Sequence, residues 1–281
     1  MTDKTFYASH SEITDPGETL FLFDGVSDDI SRICHLIQGF MLHIHWAERY
    51  GICVSKERRQ EEDLRKVERQ LRLVADRSTE ENGISLPLNK RILGTCRDFS
   101  TILCSILRHH HIPARPRCGF ASYFDSSMRT DHWVCEYWDS DKNRWRMVDA
   151  QLDDFQRDSL NITFDTTDIP KDQFMVAGEA WRLCREGKTD PKKFGIMDWA
   201  GLWFIAGNLV RDLLSLSKTE LLPWDVNDAT GPYENHNVEK SNYPLFDSVA
   251  RLTCPGDTDV DKIRNLIKKN PNLRMPNNWR P

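Results

Sequence analysis

Residues Gly94–Arg115 read GTCRDFSTILCSILRHHHIPAR, and two cysteines stand eight positions apart on what the pattern predicts to be one helix. The helix ends before Pro113, because proline cannot continue the hydrogen-bond ladder and restricts the residue before it. Cys96 falls where a loop feeds the first turn. The unpaired backbone N–H groups there create a local positive field that favours thiolate over thiol. The same groups are suited to face an oxyanion. Cys104 lies in an apolar run between Leu103 and Ser105 and reads as a small core residue. Position alone does not separate the two, since free cysteine is among the most buried residue types.

A nucleophile needs a base, and the base needs an orienting group. Three strands are expected downstream, over 115–124, 131–138 and 144–150, from their aromatic and branched residues. In DHWVCEYW the two-residue alternation puts His132, Val134, Glu136 and Trp138 on one face. In RWRMVDA it groups Trp145, Met147 and Asp149. A hairpin centred between Ser140 and Asp141 sets His132 opposite Asp149, Val134 opposite Met147 and Glu136 opposite Trp145. Opposed Cβ atoms are about 4.5–5.5 Å apart, close enough for a carboxylate to fix the imidazole tautomer. A one-residue slip would turn the two side chains to opposite faces. Asp98 is expected to hold the helix start, where a negative group is favourable.

These three segments, GTCRDFSTILCSILRHHHIPARPRCGF, DHWVCEYW and RWRMVDAQ, resemble the transglutaminase-like superfamily within the wider papain-like thiol fold. The resemblance implies an α+β fold in which a cysteine-bearing helix packs on a small antiparallel sheet, with N- and C-terminal helical additions. It implies Cys96 as nucleophile, His132 as base and later acid, and Asp149 as orienter. It covers roughly residues 86–151. The usual GIPAR-like turn appears here as HIPAR, a departure at His111. Segments further along, AGEAWRLCREG, FGIMDWAGLWFIAGNLVRDL and LLPWD, resemble uncharacterised bacterial proteins that carry this domain.

Members of the superfamily cleave or transfer amides, so the expected chemistry is acyl transfer through a thioester, on a peptide, protein or small amide or thioester substrate. A non-catalytic binding module on the same fold is the alternative. Gln151, two past Asp149, is a candidate substrate contact, with satisfaction of a neighbouring strand as its other role. Arg115 shares a face with Arg117 and is a candidate for a substrate carboxylate, with surface pairing as its other role. Trp46 reads as core. No metal is expected, because the adjacent His109, His110 and His111 point about 100° apart on a helix and do not converge on one ion. No acidic run of the calcium type occurs, and no cofactor is expected.

The chain has 281 residues, 39% hydrophobic and 29% charged, which suits a folded domain rather than disorder. A net charge of -5 from interspersed charges excludes an electrostatic case for nucleic-acid or anionic-membrane partners. The eight cysteines form no CxxC pair, and no secretory leader is legible at the N-terminus. A cytoplasmic location with free thiols is therefore expected. The charge run KERRQEEDLRKVERQ reads as the wet face of a helix over 55–76, striped by Leu64, Val67, Leu71 and Val74. Further helices are expected over 28–50, 173–185, 198–216 and 259–269, and a loop over 77–90. No composition break marks a domain boundary, so one unit over 1–281 is expected, with mainly helical flanks over 1–85 and 152–281.

Overall fold

The helix that opens at Cys96 is held by its surroundings, not by its own propensity, since a helix of this length is marginal alone in water. The computed structural model describes residues 3–79, 84–231, 236–256 and 258–281. The chain divides into two units: Met1–Pro116 with Val134–Asp168 and Pro281, and Arg117–Trp133 with Ile169–Arg280. The crossings fall inside strands, after Pro116 and after Trp133, where no linker composition betrays them.

The first unit contains α1 (Asp3–Tyr7), α2 (Ile30–Phe40), β1 (Met41–His43), α3 (Lys56–Arg59), α4 (Val67–Arg77), β2 (Ile92–Gly94) and α5 (Cys96–His109). It also holds the start of β3 (Ala114–Ala121), the end of β4 (Arg129–Asp139), β5 (Arg144–Val148) and α6 (Asp154–Ser159). Phe99, Ile102, Leu103, Ile106 and Leu107 of α5 share one core with Ile33, Ile37 and Phe40 of α2, with Val67, Leu71 and Val74 of α4, and with Cys135, Tyr137 and Val148 of the strands. Each fully buried large apolar side chain contributes roughly 1.5–3 kcal/mol, so this contact fixes the helix. The α+β class is the one expected, but the sheets are not purely antiparallel: β4 pairs antiparallel with β5 and parallel with β7 (Phe194–Ile196), and β1 pairs parallel with β2.

Several elements differ from their sequence pattern. The helix expected over 28–50 stops at Phe40, because Met41–His43 leave to pair in parallel with Ile92–Gly94. A three-residue strand carries too little periodicity to be seen, and its partner is distant in sequence. The cap is Asp29, which accepts the Arg32 N–H at 2.9 Å. Gly51 ends the following 3-10 turn, Ile44–Tyr50, with φ +76°. The helix expected over 55–76 is broken between Asp63 and Val67, whose N–H goes instead to the Ile13 carbonyl at 2.8 Å. Part of the loop expected over 77–90, residues 80–83, lies outside the described residues.

At the C-terminus of α5, His111 takes φ +58°, the left-handed region in which glycine is the default. Its N–H reaches the Arg108 carbonyl at 3.0 Å, and the Ile112 N–H reaches Leu107 at 2.9 Å. The departure from a GIPAR-like turn thus keeps the turn's geometry with a side chain present.

The second unit contains the end of β3, the start of β4, β6 (Phe174–Val176), α7 (Ala177–Arg185), β7 (Phe194–Ile196), β8 (Trp199–Ala200), α8 (Leu202–Leu216), α9 (Tyr243–Thr253) and α10 (Val260–Lys269). β3 pairs antiparallel with β6, β4 pairs parallel with β7, and β7 turns back on β8. The helix expected over 173–185 therefore yields its first residues to β6, and the one over 198–216 its first to β8. α7, α8 and α9 pack on one another, and α8 is buried from Phe204 to Leu216. Arg117 clamps Asp212 of α8, with Nε to Oδ1 at 3.0 Å and a terminal nitrogen to Oδ2 at 2.9 Å, and also donates to the Thr253 carbonyl of α9. Among the described residues, no helix is long and apolar enough to cross a membrane.

The charge run is not uniformly wet. Glu61 is buried and accepts from Arg58 at 3.0 Å, Arg77 at 2.8 Å and the Leu93 N–H at 2.8 Å. It fastens β2, the strand that leads into Cys96. Burial alone pushes its carboxyl up, but the Arg77, Arg58 and Leu93 donors outweigh that and hold it below its ordinary 4.5. A depressed folded-state pKa stabilises the fold above the unfolded value and loses that contribution as pH falls through the folded one. Glu61→Gln should therefore lower stability by about 1–3 kcal/mol at pH 7, a deficit that shrinks towards zero in acid. Urea denaturation at several pH values reads this directly.

Candidate active site

Thr95 and Asp98 build the mouth of α5. The Thr95 N–H donates to Asp98 Oδ2 at 2.7 Å, and its hydroxyl to the same oxygen at 3.1 Å. The Asp98 N–H returns to the Thr95 carbonyl at 2.9 Å. This reciprocal arrangement fixes the first turn. Asp98 also accepts from Gln70 at 2.8 Å and from Arg97 at 2.9 Å, with both members of the ion pair fully buried. Gly94 makes room: a Cβ there would stand 3.0 Å from both Cβ and Oδ2 of Asp98. Asp98 thus holds the helix start, as its position in the sequence implied, whereas Gln70 and Arg97 carry no signal that singles them out from the surrounding charges.

Cys96 is the first residue of α5 and is partly exposed, while every residue from Arg97 to Arg108 is buried. Cys104 is fully buried, with its sulfur 3.2 Å from that of Cys135. The other sheltered thiols are held neutral. Burial pushes Cys135 far up, and burial pushes Cys184 up to about 12. Burial, reinforced by the Asp149 carboxylate, raises Cys34 as well. Desolvation penalises the charged form, so these sulfurs are poor nucleophiles. Cys53 is exposed but belongs to no helix mouth.

Cys96, Asp149 and Gln151 lie in the first unit and His132 in the second. His132 is 2% exposed, and its ring meets Phe124 edge-on at 4.8 Å and Tyr123 at 5.9 Å, with Phe174 at 6.5 Å. Its neighbour Asp131 accepts from Asn208 at 2.7 Å, and burial raises its carboxyl above the ordinary range. Asp131 is thus a packing residue, as the strand alternation predicts.

The hairpin register differs from the expected one. Cys135 pairs with Val148, Glu136 with Met147 and Trp138 with Trp145, so the turn is centred between Asp141 and Lys142. The physical cause is Asp139, whose carboxylate accepts the Asp141 and Lys142 N–H groups at 3.0 Å each, and Asn143, which takes φ +49°. Four residues thereby close the loop. Continued by one pair, this register would set Val134, not His132, against Asp149. Asp149 lies one residue past the end of β5. It is buried, its N–H donates to the Thr166 carbonyl at 2.9 Å, and its Oδ1 accepts the Gln151 N–H at 3.0 Å.

Gln151 is buried beside it, and its Nε2 donates to Gln156 Oε1 at 2.9 Å. Arg115 is fully buried, donates to Glu136 at 2.7 Å, and lies over the Trp145 ring at 3.9 Å and the Tyr7 ring at 4.9 Å. Its charge is thus paired inside the fold and not at the surface. Trp46 is 8% exposed, with Arg49 over its ring at 4.4 Å, which suits the core role expected of it.

Residues 52–150 match the family model described as the transglutaminase-like superfamily. No curated protein and no solved structure matches the chain.

The arrangement at the mouth of α5 has a measurable consequence. Asp98→Ala removes a helix cap and leaves Arg97 buried without its carboxylate, so stability should fall by about 3–5 kcal/mol. Asp98→Asn should fall between this variant and the parent in urea melts, because it keeps the hydrogen-bonding shape and loses only the charge.

Proposed function

From the transglutaminase-like core over residues 52–150, we propose that the protein is a thiol acyl-transfer enzyme, with Cys96 as nucleophile, His132 as base and Asp149 as the group that orients it. The observation that supports this most is the contrast within α5. The helix buries every residue from Arg97 to Arg108, and it presents one thiol to solvent at its positive end. A thiol there stands beside backbone N–H groups able to receive an oxyanion.

In this proposal His132 takes the Cys96 proton, and the sulfur attacks an acyl carbonyl to give a tetrahedral oxyanion. Collapse of that species breaks the bond to the leaving group, which takes the proton from His132. A thioester remains on Cys96. An incoming water or amine then gives a proton to His132 as it attacks. The C–S bond breaks and the thiol is restored. Asp149 holds the imidazole in the tautomer both steps require. The aromatic rings around His132 lower the local dielectric, which strengthens each charge interaction the ring makes.

Alkylation by iodoacetamide, mapped by mass spectrometry, tests this with Cys53 as an exposed reference thiol in the same molecule. At pH 6.5 Cys96 should react at least tenfold faster than Cys53. His132→Ala should slow Cys96 at least tenfold at pH 6.5 and leave Cys53 unchanged. Asp149→Asn should slow it less. A Cys96 profile that coincides with that of Cys53 would instead support a binding module on this fold.

A further inference from the structure

A cluster of positive charge stands in the first unit apart from the residues of the proposed mechanism. Arg58 and Arg77 both bond to Glu61 Oε1, at 3.0 and 2.8 Å, so two guanidinium groups share one carboxylate oxygen. Main-chain carbonyls of one turn hold them as well. Arg58 donates to the carbonyl of Asn89 at 2.9 Å and to that of Arg91, and Arg77 donates to that of Lys90 at 3.3 Å. A guanidinium carries five N–H donors in a rigid fork. Three bonds fix the plane of each fork here and leave further donors uncommitted.

These two side chains and Lys90 line one cavity of about 400 Å³, with Thr79 and Asp76 on its wall. Arg58 and Arg77 are only 22% and 25% exposed, so water screens them incompletely. Lys90 and Asp76 are exposed, and neither makes an ion pair among the described residues. With Glu61 counted, the three cations leave two positive charges over, against the single exposed carboxylate of Asp76. Holding like charges together costs free energy that a bound anion offsets. Fixed guanidinium forks suit a tetrahedral oxyanion, whose several oxygens accept in parallel. The net charge of -5 gives the chain no long-range field to hold a nucleic acid or an anionic lipid surface, which favours a small soluble anion.

We propose that this cavity is a binding site for a dianionic oxyanion of the phosphate class, inorganic phosphate or a small phosphate monoester, held by Arg58, Arg77 and Lys90. The two arginines supply oriented N–H donors, and Lys90 supplies a mobile point charge at the rim. Asp76 opposes the anion and sets an upper limit on its affinity. Glu61, which keeps the two forks in place, also accepts the Leu93 N–H, so the site is braced against β2. It stands independently of the acyl-transfer chemistry, since none of its residues takes part in that mechanism.

Calorimetric titration of the full chain with sodium phosphate, and separately with glycerol 3-phosphate, tests this at an ionic strength held constant with sodium chloride. Saturable binding is expected with both. Lys90→Gln removes one cation and should weaken binding about threefold, whereas Asp76→Asn removes the opposing charge and should tighten it about twofold. Both residues are exposed, so without phosphate the two variants should melt in urea close to the parent. No binding above the chloride background overturns the proposal. So does binding that neither variant changes, which marks an adventitious ion only. Vesicles containing phosphatidic acid separate a lipid headgroup from the free ion: binding to them, with none of either soluble phosphate, also overturns it.

Discussion

The structure of the first unit depends on the carboxylate of Asp98. It receives the backbone and hydroxyl of Thr95, the amide of Gln70 from α4, and the guanidinium of Arg97, with no exposure to water. The first turn of a helix leaves N–H groups without intrahelical acceptors. Here the turn is fixed by the residue three positions into it, which leaves the position before Asp98's pair, Cys96, at the surface. The absence of a side chain at Gly94 allows that carboxylate to close on the strand end. Removing any one of these contacts leaves a buried polar group unmatched, which is why they act as a unit.

Buried ion pairs recur as fasteners in both units. Arg115 with Glu136 ties β3 to β4 in the first, and the guanidinium lies against Trp145 and Tyr7. Arg117 with Asp212 ties β3 to α8 in the second, and Thr253 extends the tie to α9. Such pairs add little net stability over an apolar replacement, but breaking one leaves an uncompensated charge. Their geometry is directional, so they specify register and helix placement where apolar packing alone would tolerate a slide. Glu61 does the same for β2 with two arginines and one backbone N–H.

Like groups stand in contrasting settings along the chain. Eight cysteines are present, and burial sets most of them aside: Cys34, Cys104, Cys118 and Cys135 are enclosed, and the half-buried Cys184 and Cys254 are pushed up by desolvation. Cys96, at a helix mouth, is partly exposed instead.

The sequence by itself determined the α+β class, the helix from Cys96, the core role of Cys104, the three main strands and the long buried helix α8, because each is written in local periodicity or in a proline or glycine that stops it. It also pointed to Asp98 at the helix start, since a cap and its partner lie three residues apart. Tertiary structure alone decided the rest. The parallel pair β1 and β2 joins segments some fifty residues apart, and three residues hold no period to read. The helix α9, begun at Tyr243-Pro244 inside a stretch whose proline and asparagine suggest a loop, exists because α7 and α8 bury one of its faces. The hairpin turn moved by one residue, shifting each pairing partner by two, because Asp139 and Asn143 favour a four-residue turn, and the two units exchange within strands that no composition divides. Arg115 and Glu61, charged residues in a sequence that reads as surface, are buried because partners distant along the chain meet them, and distance along the chain is what a pattern of neighbours cannot encode.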